Sequence, residues 1–392
     1  MPAARLSSLT AAALLTALGA CDGAGGGAGG ATCQLVGDAL ALPYARDFDV
    51  AVLGDGFVVV LSGDDGVVAY AIDAAGLTGP TTVPLGRGAV HLASRPGEVL
   101  AQSFPLDWQL SGPRIARFDG AAWTVAAAAP LVDAGLATRG AALAADASHV
   151  TAAWVDGVTT VAAATAEWSG AAFGTPTPAL TDVDELSGYS LHLAYDAAGA
   201  LHLGVIAAVG GERGLVHAVR GTDGAWGPSA LVGPTPGALQ NIVVTGLAPD
   251  PAGGVWLAEL HPADFFEDTP GALTVWRDDG SGPTKVGAVS DDRPVAEGLS
   301  LGALADGRVV AAASWGENNL DAAASDDAAL LYLCATSGGC RRALTLDGRR
   351  GVFYEATHLA TSGGGGVAVW AWTNKGQGGA EGLTARRFSC AP

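Results

Sequence analysis

The chain has 392 residues, a formal net charge of -19 at pH 7, and 49% hydrophobic against 15% charged residues. That balance excludes a nucleic-acid binder, because a phosphate backbone would be repelled. Its 58 glycines and 20 prolines exclude a fold of long helices, since both residues interrupt them.

Residues 1–20 read as an export signal: Arg5 is the one early charge, and the apolar run Leu9–Leu18 is too short to stay as a spanning helix. Leu18-Gly19-Ala20-Cys21 resembles the lipobox of bacterial lipoproteins. That resemblance implies that Cys21 is the lipidated first residue, and that the protein is lipid-anchored in a bacterial cell envelope, facing the periplasm or the cell surface. The alternative is an ordinary signal peptide cut near Ala20. Residues 21–32 form a tether, since the run Asp22–Gly30 is nearly all Gly and Ala and has nothing to pack.

From there the chain repeats. A Leu-Ala pair recurs at Leu92-Ala93, Leu143-Ala144, Leu193-Ala194, Leu247-Ala248, Leu304-Ala305 and Leu359-Ala360, with Leu53-Gly54 as a weaker first copy. Turn residues follow each pair, at Gly56, Gly97, Ser148, Gly199, Gly253, Gly307 and Gly365. A spacing of about fifty residues with four short strands per unit is the signature of propeller blades. One sheet cannot cover both of its faces, whereas a ring of sheets stacks them and leaves only short edges. The expected fold is all-β: a seven-bladed β-propeller of four-stranded antiparallel blades, one domain over residues 33–392. Its blades start near 47, 88, 139, 188, 242, 298 and 355. Small residues beside the Leu suit the innermost strand, where blades crowd closest.

The seventh unit ends after its third strand, at Cys390-Ala391-Pro392, and residues 34–42 form a strand with no unit of their own. Lending that strand to the last blade closes the ring. With Cys21 acylated, four cysteines remain, allowing three pairings. Cys334 ends a third strand and Cys340 opens the fourth; Cys390 ends a third strand and Cys33 opens the closing one. The register therefore selects Cys33–Cys390 and Cys334–Cys340. The long loop closed by the first stabilises most, on the order of 5 kcal/mol in the chain-entropy model.

Asp119-Gly120-Ala121-Ala122-Trp123 and Asp223-Gly224-Ala225-Trp226 resemble the Asp-box turns of sialidase-like propellers, without the family's leading Ser. Asp-Gly is also a strong hairpin turn, so both are read as structural. A sialidase would need in addition an arginine cluster and an activated Tyr/Glu pair at the axis. His91, His192 and His358 each precede a Leu-Ala pair. They are read as inter-blade histidines rather than a metal site, because their blades are not adjacent.

Binding residues concentrate on long loops over a rigid scaffold. Second-to-third-strand connections read as long at Ser103–Arg114, Ala207–Gly214, Leu260–Ala272, Trp315–Ala329 and Trp372–Gly382. They carry Asp107, Trp108, Asp264, Phe265, Phe266, Glu267, Asp268, Glu317, Asn318, Asn319, Asp321, Asp326, Asp327 and Trp372, and the links between blades add Asp182, Asp184, Glu185, Asp291 and Asp292. Aromatics beside oxygen-rich tips suit a glycan or a protein partner. No cofactor is expected; Ca²⁺ is the ion such loops would suit, although no Asp-x-Asp-x-Asp-Gly loop occurs. The organisation is similar to that of the propeller lipoproteins of GC-rich Gram-negative bacteria. The reading is a monomeric, lipid-anchored binding module. The alternatives are a sialidase-like or other glycan-active hydrolase, with Glu267 or Asp268 opposite Glu317 as its carboxyls, and a purely structural envelope lipoprotein.

Overall fold

The computed structural model describes residues 32–105, 114–128, 140–156, 162–234, 243–261, 271–291, 295–316, 327–349, 351–374 and 380–392. Residues 1–31, with the expected signal, Cys21 and most of the expected tether, lie outside the described residues. The unit Thr32–Pro392 forms seven four-stranded antiparallel sheets among its described residues. Six are built from consecutive strands, with first strands Asp47–Leu53, Gly88–Arg95, Ala141–Ala145, Glu185–Tyr195, Val244–Pro249 and Val295–Ala303. The seventh takes Val352–Ser362, Gly365–Asn374 and Glu381–Cys390, then Cys33–Leu42 from the other end of the chain. Each first strand packs on that of the next sheet, and Val352–Ser362 returns to Asp47–Leu53. The result is a seven-bladed propeller closed by its N-terminal strand.

The burial pattern follows from sheets covered on both faces. Second strands such as Val309–Gly316 are buried at every position, so they read as continuous apolar runs instead of alternating ones. Outermost strands such as Gly76–Thr82 are largely exposed and polar. Apolar clusters fill the gaps between blades, as with Ala51, Val58, Val60 and Ala69 of blade one against Val90, Val99 and Ala101 of blade two. Each fully buried Val or Leu contributes about 1.5–3 kcal/mol.

The inner ring is crowded. A Cβ at Gly302 would stand 2.5 Å from Thr361 Cγ2 of the next blade, and one at Gly246 would stand 3.0 Å from Leu301 Cγ. Hydroxyls then tie the rims together: Ser94 donates to the Val52 carbonyl at 2.7 Å, and Thr361 donates to that of Ala303 at 2.7 Å.

The turns are made by aspartates that accept backbone N–H bonds. Asp196 Oδ1 takes those of Ala198 and Ala200 at 2.9 and 2.8 Å, and Asp119 Oδ1 takes those of Ala121 and Ala122 at 2.9 and 3.0 Å. Blade three shows the same turn with Ser169 as acceptor for Ala172 N–H at 3.3 Å.

Two readings need correction. The connection Ala207–Gly214 is not a long loop: Leu201–Val209 and Glu212–Arg220 pair up to Val209 and Glu212, and Gly210 and Gly211 turn the chain at φ of 62° and 82°. A two-residue turn with two positive-φ glycines continues the hairpin, so a Gly-rich stretch that reads as an excursion is strand almost throughout. Gly56 and Gly365 open second strands instead of forming the turn, which is made one or two residues earlier.

Candidate functional site

The first strands surround an axial cavity of about 490 Å³ to which all seven blades contribute. Its polar lining includes Asp49, His91, Ser190, His192, Glu297 and His358. The three histidines flagged by the repeat thus share one chamber although their blades are not neighbours, because the innermost strands lie so close to the axis. Two are also tied across a blade boundary. His358 Nδ1 lies 3.0 Å from Asp49 Oδ1, and its ring meets Phe48 edge-on at 4.9 Å. His192 bonds with the Thr245 backbone.

Electrostatics separate these groups. Burial, together with the neighbouring imidazole of His358, pushes His91 down to about 4, against the pull of Asp49. Burial does the same to His192, also to about 4, helped by His91 and His358. Both rings are neutral at pH 7, able to donate one hydrogen bond and accept another. Asp49 is the opposite case. Burial would raise it, but the His358 partner, His91 and the Leu92 N–H hold it below the usual carboxylate range. Its Oδ1 also accepts from Val50 N–H at 2.8 Å and its Oδ2 from Leu92 N–H at 2.7 Å, so it is an ionised anchor joining blades one, two and seven.

The face carrying the inter-blade links is shaped by β-bulges. Register shifts fall between Leu186 and Leu191, Ala296 and Gly298, and Tyr354 and Thr357, all at the link-side ends of first strands. A bulge re-aims side chains, and here it presents Glu297 to the cavity and sets Glu355 beside it in sequence to Ala356, which also lines it. Glu355 accepts from the Tyr44 hydroxyl at 2.9 Å and from Thr373 at 2.8 Å. Burial and this carboxylate push Tyr44 up to about 12, so the phenol stays protonated. The pair stands outside the residues that line the axial cavity, and among the described lining residues there is no arginine. Arg139 and Arg293, which precede two first strands, lie outside the described residues.

Trp372 sits on the last blade's second strand; its indole donates to Thr384 at 3.0 Å and the Arg349 guanidinium covers its ring at 4.3 Å. The link acids are committed locally: Asp182 to Ser229 N–H at 2.8 Å, Asp184 to Gly211 N–H at 2.9 Å, Glu185 to Arg213 at 3.3 Å. Asp107, Trp108, Asp264, Phe265, Phe266, Glu267, Asp268, Glu317, Asn318, Asn319, Asp321, Asp326 and Asp292 lie outside the described residues, whereas Asp327 is buried. Among the described residues no group of three or more His, Cys, Asp and Glu is placed to hold a metal ion. Asp49, Glu297, Tyr44 and Glu355 escaped the sequence reading. Asp49 stands in the alternation Asp47-Phe48-Asp49-Val50, where a solvated acid is the default, and bulges leave no mark in composition.

No protein-family model matches the sequence, and no curated protein matches it. Solved structures do resemble it. An ulvan lyase of polysaccharide lyase family PL25, bound to -[GlcA(1-4)Rha3S]-, has a TM-score of 0.53 at 10% identity, covering 90% of this chain and 94% of that one. A protein of unknown function from Dyadobacter fermentans has a TM-score of 0.51 at 10% identity, covering 91% and 99%. Trypanosoma rangeli sialidase has a TM-score of 0.50 at 9% identity; the match covers 90% of this chain and 60% of the sialidase. TM-scores of 0.50 to 0.53 at such identities show a shared fold alone, and one fold carries many activities.

Proposed function

We propose that the protein is an exported, lipid-anchored binding module of the bacterial cell envelope, and that it takes a glycan at the axial cavity and the link face around it. The carrying observation is the pair His91 and His192, held neutral in a chamber of about 490 Å³. Uncharged imidazoles that both donate and accept match the alternating donors and acceptors of sugar hydroxyls. The ulvan lyase and the sialidase, which share the fold, are named for acting on carbohydrate, and this supports a saccharide over a peptide.

The test is a glycan array probed with the full chain in detergent. Retention of one saccharide class, weakened at least tenfold by His91→Ala and His192→Ala, supports the reading. Retention that both variants leave unchanged removes the axial cavity from it, and no retention of any glycan removes the reading itself.

A second reading, a glycan-active hydrolase, is favoured by the Tyr44–Glu355 hydrogen bond, a phenol that donates to a carboxylate as in the Tyr/Glu pair a sialidase would need. It predicts glycoside hydrolysis that is lost in Tyr44→Phe and in Glu355→Gln. A preparation with no hydrolytic activity on any glycoside of the array eliminates it.

A further inference from the structure

Four titratable groups form a buried chain away from the axis, joined by two hydrogen bonds and one ion-pair contact. His202 stands on the second strand of blade four and His217 on the third, diagonal to one another across the hairpin. His202 Nε2 lies 3.3 Å from Asp196 Oδ2, His202 Nδ1 lies 3.0 Å from His217 Nε2, and His217 Nδ1 lies 3.2 Å from Asp278 Oδ2 of blade five. Both rings are 2% exposed and stack at 5.2 Å with an interplanar angle of 9°. The far oxygen of each carboxylate accepts backbone N–H groups: Ala198 and Ala200 at Asp196, Gly280 and Gly282 at Asp278.

Counting protons on this chain gives an odd answer. Ionised carboxylates only accept, so His202 Nε2 and His217 Nδ1 must both carry hydrogen. A neutral imidazole has one N–H, and each is then spent. His202 Nδ1 and His217 Nε2 would be left as two bare lone pairs facing at 3.0 Å in a buried site, where nothing else can satisfy them. One more proton between the two nitrogens converts that repulsion into a hydrogen bond. Moving a proton onto Asp196 and reversing the donors leaves the count unchanged: three contacts need three protons. Burial pushes His202 down as an isolated base, so the extra charge is shared along the chain between two carboxylates, not lodged on that ring alone.

We propose that Asp196, His202, His217 and Asp278 form a buried site that binds one proton at neutral pH and seals blade four to blade five, and that loss of this proton at alkaline pH loosens that contact. Other charges on the packed elements are committed elsewhere: Arg277 to Asp250, Arg220 to Glu167, and Asp279 to Ser281. Glu259 and His261 on blade five's second strand have partners of their own.

The sign follows from linkage. Unfolded histidines release their proton near 6.5, so above that pH the folded chain holds one proton more than the unfolded chain. Below about 6.5 both unfolded imidazoles are protonated and the unfolded chain holds the larger count, so the site stabilises most near 6.5; above it the folded-to-unfolded ratio falls about tenfold per pH unit until the site releases its proton. His202→Gln is the discriminating variant, because it removes the ring nitrogen that faces His217 Nε2, so a His217 with one N–H, directed at Asp278, meets no second bare imidazole lone pair and needs no added proton.

Calorimetric unfolding of the full chain at pH 8, in buffers of different ionisation enthalpy, counts the protons released. About one more from the wild type than from His202→Gln is expected; equal release overturns the proposal. Should that variant not fold, nitrogen-15 histidine spectra of the wild type at pH 7.5 decide. Three N–H protons on the two rings, or two with His202 protonated at Nδ1, are expected; His202 protonated only at Nε2 beside His217 protonated only at Nδ1 overturns it.

Discussion

Cys33 and Cys390 face one another in the register of blade seven and are bonded, their Cα atoms 3.9 Å apart across a sequence separation of 357. The bond pins the seam at which the first ordered strand completes the last sheet. Cys334 and Cys340 repeat the same cross-turn pairing one blade earlier, only 6 residues apart. The equivalent geometry therefore closes two loops of very different length.

This difference is measurable. Removing Cys33–Cys390 by double Ser substitution is expected to cost on the order of 5 kcal/mol, against about 2 kcal/mol for Cys334–Cys340, in the chain-entropy model. Denaturant midpoints under oxidising conditions give the comparison, and equal losses would mean that the closing strand is held by its sheet bonds alone.

Asp49→Ala leaves His358 and the Leu92 N–H without their acceptor in the inner ring. A loss of about 3 kcal/mol is expected, because a buried partner is stranded. Asp64→Ala, at a carboxylate 95% exposed and paired to Arg87, should change stability by less than about 1 kcal/mol. A similar small effect at both sites would show that Asp49 does not lock the ring.

Acid should weaken the fold through His91 and His192. Both are depressed from 6.5 to about 4 in the folded protein, so the unfolded chain binds more protons between these values. Stability should be undiminished by them above about 6.5, and fall as pH drops toward 4, by on the order of 3 kcal/mol per ring. The His91→Asn variant should show a shallower acid limb in pH-dependent melting, and an unchanged limb would place the depressed groups elsewhere.

Cys21→Ala tests the anchor. Cells fed an alkyne fatty acid should label the wild type and leave the variant unlabelled, with the variant moving from the membrane to the soluble fraction. Labelling that persists in the variant would assign the lipid to another residue, and an unlabelled wild type would remove the anchor.

The ring itself was legible in the sequence. Leu-Ala pairs and turn glycines mark a period, a missing last strand and a spare first one imply closure, and two cysteine pairs share one register. Those signals are local or periodic, so alternation and turn chemistry suffice to read them. The chemistry of the axis was not legible. Asp49, His91, His192 and His358 come from four blades, and only closure of a narrow inner ring brings them into one chamber and fixes which is ionised and which neutral. Burial also decides the His202–His217 contact, since their diagonal placement is written in the hairpin register but the two flanking carboxylates arrive from a turn and from the next blade. Sequence spacing sets neighbours along and across a strand; charge and protonation depend on what the fold packs around them.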